Sequence, residues 1–243
     1  MAINYSALAA SVKSRYVMNL TEDLPTTDVV ANTGKYYAQY STNNPSFVKI
    51  SEVLRNNGVA NHQFMLATFD KELLGVNPRD DNLPYHLTER VLQECVRNPW
   101  YYIREVVNVP VPGGEVPFEL HLGNLFLIWC MLANLNVMLL LPRQNYKTVT
   151  ACVVYAWMFT LGTRNSHILF FNKALGDSKN NLKRVKEIVE YLPEYMHNAM
   201  YSSGDRINSE FMESAELKNR IDAKPPGTSI DHADNLGYKI GSV

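Results

Sequence analysis

The residues with the clearest chemical potential are Lys147 and Thr148, which follow an apolar run and a short polar loop. Residues 137–141 are continuously apolar, residues 142–146 form the loop, and helical spacing begins at Lys147. In a phosphate-binding loop, backbone N–H groups and the helix N-terminus meet the phosphates. The lysine neutralises β- and γ-phosphate oxygens, and the hydroxyl holds Mg²⁺. The pattern indicates a site for ATP and Mg²⁺; the alternative is an ordinary strand-to-helix turn carrying an exposed lysine.

Two departures from the full phosphate-loop pattern weaken the predicted site. The first glycine and the glycine before the lysine are replaced by Leu141 and Tyr146. A Walker B element needs an apolar run followed by Asp-Glu, and no Asp-Glu dipeptide occurs in the sequence; the two apolar runs lead into Pro142 and Asn172. We therefore expect poor ATP affinity and no hydrolysis by this chain alone.

The elements that would position these residues follow an α/β pattern. Residues 137–141 and 167–171 are apolar without alternation, which predicts strands buried on both faces, as in a parallel sheet. Each run precedes a predicted helix, over residues 147–161 and 174–192. Further helices are predicted over residues 85–97, 100–107 and 122–133. Strand–helix repetition predicts a P-loop NTPase-type parallel sheet flanked by helices.

The first part of the chain has weaker periodicity and predicts a separate, mostly helical extension. A turn-rich segment over residues 76–84 is the candidate boundary, giving an N-terminal arm over residues 1–84 and a partial ATPase domain over residues 85–243. Helices are expected over residues 47–55 and 62–75. We expect residues 1–60 to be dispensable for folding of the core.

Composition narrows the function classes. The chain has 243 residues, 46% of them hydrophobic and 19% charged, which excludes a disordered or fibrous protein. A net charge of −1 excludes a globally basic nucleic-acid binder, although four basic residues of the helix over 174–192 could face DNA or solvent. These residues are Lys179, Lys183, Arg184 and Lys186. Cys95, Cys130 and Cys152 lie in apolar stretches and are interpreted as reduced core residues, not as a disulfide framework.

Two further interpretations are weaker. Residues 122–142 and 148–163 carry no charge, so a membrane hairpin is an alternative, but Asn124, Asn134 and Asn136 would be costly in lipid. Asp231, His232 and Asp234 could bind a metal, although isolated polar residues in such a loop are usually solvated.

Pro142-Arg143-Gln144-x-x-Lys147-Thr148 resembles the Walker A loop of the large terminase subunits of tailed bacteriophages. Three other segments match that family in the same order. Residues 97–106 resemble its aromatic helix, residues 118–124 its adenine-recognising motif, and residues 167–195 its second strand and following helix. The resemblance covers roughly residues 95–237, which favours the ATPase portion of the family.

The resemblance implies a role for each loop residue. Lys147 would contact the β- and γ-phosphates, Thr148 the Mg²⁺, and Arg143 would be the catalytic arginine that senses the γ-phosphate. Asn124 stands where the family usually has glutamine, so base recognition would persist with a shorter reach or be lost. The implied nucleotide-binding set is Pro142, Arg143, Gln144, Asn145, Tyr146, Lys147, Thr148 and Asn124.

The family also implies partners. Its complete members drive duplex DNA into a viral prohead, with a portal protein and a small terminase subunit, in the host cytoplasm and not in a membrane. Here the sequence resembles the front half of such an ATPase, split or truncated before Walker B, so a second chain could complete it. The alternative is a catalytically silent interaction module that docks on DNA, portal or a complementary fragment.

Overall fold

The structure is a computed structural model that describes residues 36–140 and 146–224, together with the backbone of residues 239–241. Seven α-helices lie in these ranges: α1 (Pro45–Asn56), α2 (Tyr85–Arg97), α3 (Pro99–Tyr101), α4 (Leu122–Leu132), α5 (Lys147–Trp157), α6 (Leu175–Glu190) and α7 (Glu194–Met200). Helices α3 and α5 continue as π-helical turns, Tyr102–Val106 and Met158–Gly162. The predicted helices over 85–97, 100–107, 122–133, 147–161 and 174–192 are confirmed.

Nine strands form three small sheets in the described ranges. β1 (Tyr37–Ala38) pairs with β2 (Ala67–Thr68), and β3 (Asn108–Val111) forms a hairpin with β4 (Gly114–Pro117). The largest sheet has the order β6-β7-β8-β5-β9. Its strands are β5 (His167–Phe171), β6 (Arg206–Ile207), β7 (Phe211–Glu213), β8 (Arg220–Lys224) and β9 (Lys239–Gly241).

The predicted strand over residues 167–171 is confirmed as β5, which lies between β8 and β9 and is parallel to both. Its central residues Ile168, Leu169 and Phe170 are buried. Tyr155 of α5 packs edge-to-face on Phe170, with ring centroids 5.4 Å apart. Burial on both faces explains why this strand is apolar without alternation. Because β6, β7 and β8 are antiparallel, the sheet is mixed, and the protein is α/β.

The predicted strand over residues 137–141 is wrong for residues 137–140, which have no regular structure. Met138 is 91% exposed and Leu140 is 89% exposed. An apolar run becomes a buried strand only where a neighbouring strand satisfies its N–H and C=O groups. Among the described strands none pairs with this run, and Leu141 lies outside the described residues. The structure therefore confirms the α/β class, but it gives no specific support for the predicted P-loop type of parallel sheet.

The predicted helix over residues 47–55 is confirmed as α1, but the one over residues 62–75 is wrong. Two 3₁₀ turns, Phe64–Leu66 and Lys71–Leu73, flank β2 there. The backbone N–H groups of Phe69 and Asp70 donate to the carboxylate of Glu94 on α2, at 2.8 and 3.0 Å. These long-range bonds replace the local ones that a helix would need.

Residues 36–84 pack against the rest of the described chain across the predicted boundary. Phe47 is fully buried in the same hydrophobic cluster as Trp100 and Ile128. The side-chain amide of Asn44 donates to the carbonyl of Phe118 at 2.6 Å. We infer that removing residues 36–60 would uncover this cluster, against the expectation of a dispensable arm.

The turn-rich segment is fastened to the core by Arg79. Its guanidinium donates to the carbonyls of Val106 and Tyr191, at 2.7 and 2.9 Å, and pairs with Glu115 at 2.8 Å.

In the described part of the chain, no helix has the length and apolar character needed to cross a membrane.

Candidate nucleotide-binding site

We infer that the start of α5 lies towards the carboxyl edge of the parallel strands. Residues 163–166 connect the end of the π-helical turn directly to β5, and Tyr155 of α5 packs on Phe170 near the end of β5, so the helix and the strand are inferred to run in opposite directions. Residues 147–162 span roughly 20–24 Å in helical form, whereas a five-residue strand spans about 16 Å. The N-terminus of α5 therefore reaches the edge where β5 ends, which is where α/β sheets commonly bind ligands.

Tyr146 precedes this helix in the left-handed conformation, with φ 51° and ψ 10°. Its carbonyl accepts two hydrogen bonds from Thr150, one from the backbone N–H and one from the hydroxyl, both at 2.9 Å. Thr150 is completely buried. The position before the lysine thus adopts a conformation that favours glycine, as a phosphate loop requires, although its residue is tyrosine.

Lys147 and Thr148 are half-buried in the first turn of α5. The first N–H groups of any helix lack intrahelical partners and carry a partial positive charge. In the described residues no side chain caps this terminus, and its first turn contains no acidic residue. The positive end of the helix and the Lys147 ammonium therefore reinforce each other, an arrangement that attracts an anion.

The imidazole of His121 stacks on the ring of Tyr146, with centroids 5.6 Å apart and an interplanar angle of 25°. His121 is the residue before α4, so the stack joins the starts of two helices. Sequence reasoning placed His121 inside a resembling segment but gave it no role. Nothing in the sequence pairs it with Tyr146, because 24 residues separate them and only the fold brings the rings together.

Asn124 lies in the first turn of α4, three residues after His121 and on the same side of the helix. Its side chain is only 3% exposed, and its Nδ2 atom has no hydrogen-bond partner among the described residues. A buried amide without a partner is costly. The resemblance had assigned Asn124 to base recognition, and His121, three residues earlier, stacks on Tyr146 at the start of α5.

The rest of the expected loop lies outside the described residues. These residues are Pro142, Arg143, Gln144 and Asn145, together with the weaker metal candidates Asp231, His232 and Asp234. Of the sequence-predicted site residues, Tyr146, Lys147, Thr148 and Asn124 are thus described. Within the described ranges, no three His, Cys, Asp or Glu side chains are grouped so as to hold a metal ion.

The chain matches no model of a known protein family and no curated protein.

The basic residues of α6 are engaged within the protein. Lys179 pairs with Glu210 at 2.8 Å, and Lys186 donates to the carbonyl of Asn208. Lys183 pairs with Glu187 on its own helix at 3.5 Å. The turn between β6 and β7 therefore occupies Lys179 and Lys186, which could otherwise have met DNA phosphates.

Asp222 on β8 is the acidic residue most tightly held in the sheet. Burial opposes its ionisation, but hydrogen bonds from His167 and Arg220 and the charge of Arg220 outweigh that effect and hold the pKa of Asp222 well below its usual range. Arg220 binds it through both Nε and Nη2, at 2.8 and 2.9 Å. This carboxylate is thus held by Arg220 and His167.

All three cysteines are free and buried, as expected. Burial raises the pKa of the Cys152 thiol to about 12, and its sulfur donates to the carbonyl of Asn181 on α6 at 3.6 Å. Cys152 is therefore a protonated core residue, without the thiolate that nucleophilic or metal chemistry needs.

Proposed function

We propose that this chain binds ATP–Mg²⁺ at the start of α5, as part of the ATPase motor of a DNA-packaging terminase. One observation carries the proposal: the residue directly before Lys147 is left-handed, at the N-terminus of a buried helix that packs on a parallel strand. A left-handed tyrosine is disfavoured without a compensating reason. The conformation that a phosphate loop needs is that reason.

The proposed roles follow from charge and position. Lys147 neutralises the β- and γ-phosphates, and the first N–H groups of α5 donate to phosphate oxygens. The Thr148 hydroxyl is a ligand for Mg²⁺, and Arg143 stabilises the γ-phosphate. The amide of Asn124 recognises the nucleotide base in this proposal, as the terminase resemblance implies.

Binding without hydrolysis is the expected behaviour of this chain alone. Phosphoryl transfer needs an acidic residue that supports Mg²⁺ and a carboxylate or amide that positions water. The sequence has no Asp-Glu pair after an apolar run, and Asp222 is bound to Arg220 and His167. A second chain would supply these groups. Duplex DNA, a portal protein and a small terminase subunit are the proposed partners, and the host cytoplasm is the proposed location.

Calorimetric titration of ATP–Mg²⁺ tests the proposal. The unmodified chain and Lys183→Ala, which removes an exposed lysine of α6, should bind equally. Lys147→Ala should weaken binding by about 10- to 100-fold, because a charge-assisted hydrogen bond to phosphate is lost. None of the three proteins should release phosphate from ATP faster than buffer does. Equal affinity in all three proteins, or no binding to any, would contradict the proposal.

The exposed apolar residues favour a second candidate, the silent interaction module. Leu122 and Phe126 lie one turn apart on α4 and are each more than half exposed, as are Met138 and Leu140. Where exposed apolar side chains form a contiguous patch, they commonly mark a protein interface. If the chain binds no nucleotide but binds a purified portal ring, and Phe126→Ser abolishes that binding, the second candidate replaces the first.

A further inference from the structure

We propose that His121 is a positioning residue that holds Tyr146 in its left-handed conformation and so keeps the start of α5 shaped for phosphate. The inference rests on the proposed function and names a residue that controls the shape of that site. No direct contact between His121 and the nucleotide is part of it.

Tyr146 adopts a backbone conformation that tyrosine disfavours, so a contact from another residue is needed to stabilise it. At φ 51° the side chain of any L-residue other than glycine is crowded, and only asparagine and aspartate enter this region at all readily. The two hydrogen bonds from Thr150 fix the carbonyl of Tyr146. Those bonds hold the carbonyl side of the residue, whereas φ turns about its N–Cα bond and is left to other contacts. The ring stack supplies one.

Both partners of the stack stand on fixed backbones. The carbonyl of His121 accepts a hydrogen bond from the N–H of Leu125 at 2.9 Å, and Leu125 and Ile128 anchor α4 in the hydrophobic core. On the other side, Thr150 anchors Tyr146 to the buried face of α5. A centroid distance of 5.6 Å lies within the range in which aromatic pairs attract. The stack therefore links two rigid helix starts.

The other neighbour of His121 does not explain its position. Glu119 lies 3.9 Å from its Nε2 atom, but the Glu119 side chain is 73% exposed. Exposed ion pairs contribute little to the ordering of side chains. We therefore attribute the orientation of the His121 ring to its stacking on Tyr146.

A double-mutant cycle isolates this role. His121→Ala should weaken ATP–Mg²⁺ binding by about 2- to 12-fold, the range that one aromatic pair supports. In a Tyr146→Gly background the same substitution should change affinity by less than about 2-fold, because glycine adopts the left-handed conformation without help. His121→Phe, which keeps a stacking ring, should retain the original affinity.

The same four proteins, unmodified, His121→Ala, Tyr146→Gly and the double variant, are compared without nucleotide by urea unfolding. A positive interaction between positions 121 and 146 is expected there as well. The inference is overturned if His121→Ala has no effect on binding, or if its effect is equally large in the Tyr146→Gly background. It is also overturned if the nucleotide-free cycle shows no interaction between the two positions.

Different results would contradict the proposed function itself. If Lys147→Ala binds ATP–Mg²⁺ as tightly as the unmodified chain, or nothing binds, the phosphate site is absent and the role of His121 in binding falls with it. A positive interaction in the nucleotide-free cycle would then show a stack that only stabilises the fold.

Discussion

Two apolar runs of this protein, each followed by a helix, have similar sequences and different structures. Residues 137–141 precede α5 in the sequence, and residues 167–171 lead through residues 172–174 into α6. Both runs are apolar without alternation. The second is the buried centre of a sheet, whereas Met138 and Leu140 of the first lie almost fully in solvent.

An apolar run has the potential to form a buried strand, but the strand forms only where adjacent strands pair with it. β5 has β8 on one side and β9 on the other, and side chains reinforce the pairing: His167 of β5 bonds Asp222 of β8. Residues 137–140 have no such partner among the described strands. The helices that follow both runs form equally well, because α5 and α6 bury their apolar faces against each other and the sheet.

The largest expected effect compares one substitution in the two runs. Leu169→Ala in β5 should lower the free energy of unfolding by about 2–5 kcal/mol, because it leaves a cavity in a packed core. Leu140→Ala removes the same atoms from an 89% exposed side chain and should change it by less than about 0.5 kcal/mol. Urea unfolding of both variants is the measurement. A similar loss in both would mean that residues 137–140 form a buried strand in solution.

A smaller effect is expected at the side-chain contact between β8 and β5. Asp222→Asn should cost about 1–3 kcal/mol at pH 7, less than a fully buried ion pair because Arg220 is one-third exposed. The pKa of Asp222 is lowered by folding, so its contribution is fully present above the unfolded pKa of about 4, declines as pH falls below that value, and is lost once the pH has passed the lower folded pKa.

Urea unfolding at pH 7 and pH 3 checks this dependence. The difference between the unmodified chain and Asp222→Asn should shrink at the lower pH. Glu119→Gln, at an exposed carboxylate, serves as the control and should behave like the unmodified chain at both values. A difference that stays constant with pH would show that the charge of Asp222 is not what holds the two strands.

The smallest effect concerns the turn between β5 and α6. The buried hydroxyl of Ser178 accepts a hydrogen bond from the N–H of Asn172 and donates to the carbonyl of Lys224, each at 3.1 Å. Ser178→Ala removes both hydrogen bonds and should cost about 1–2 kcal/mol. Ser203→Ala, at an exposed serine, should be neutral. Thermal unfolding of the two variants compares them; equal melting temperatures would mean that water replaces the hydroxyl.

Local patterns were sufficient for most of the helices. The break between α2 and α3 follows from Asn98-Pro99, and the start of α5 from the change of spacing at Lys147. The predictions that were wrong depend on distant contacts. Residues 62–75 are held by Glu94, 24 or more residues away, and no local pattern carries that information.

The candidate site was predictable in part for the same reason. Lys147, Thr148 and Asn124 are predicted from motif order, and the structure adds that Tyr146, which replaces the glycine before the lysine, is left-handed. His121 was missed because its role depends on two helix starts meeting in space. The terminase resemblance assigned roles along the chain, whereas the stack is a property of the folded molecule.

The bonds of Arg79 have a consequence for the order in which the chain folds. They close loops of 27, 36 and 112 residues, and a bond that joins such distant segments forms after most of the loop-closure entropy has been paid elsewhere. Interactions that form after the transition state govern the rate of unfolding rather than the rate of folding. We therefore expect the bonds of Arg79 to form after the transition state for folding. Arg79→Ala should speed unfolding in stopped-flow experiments and leave the refolding rate nearly unchanged.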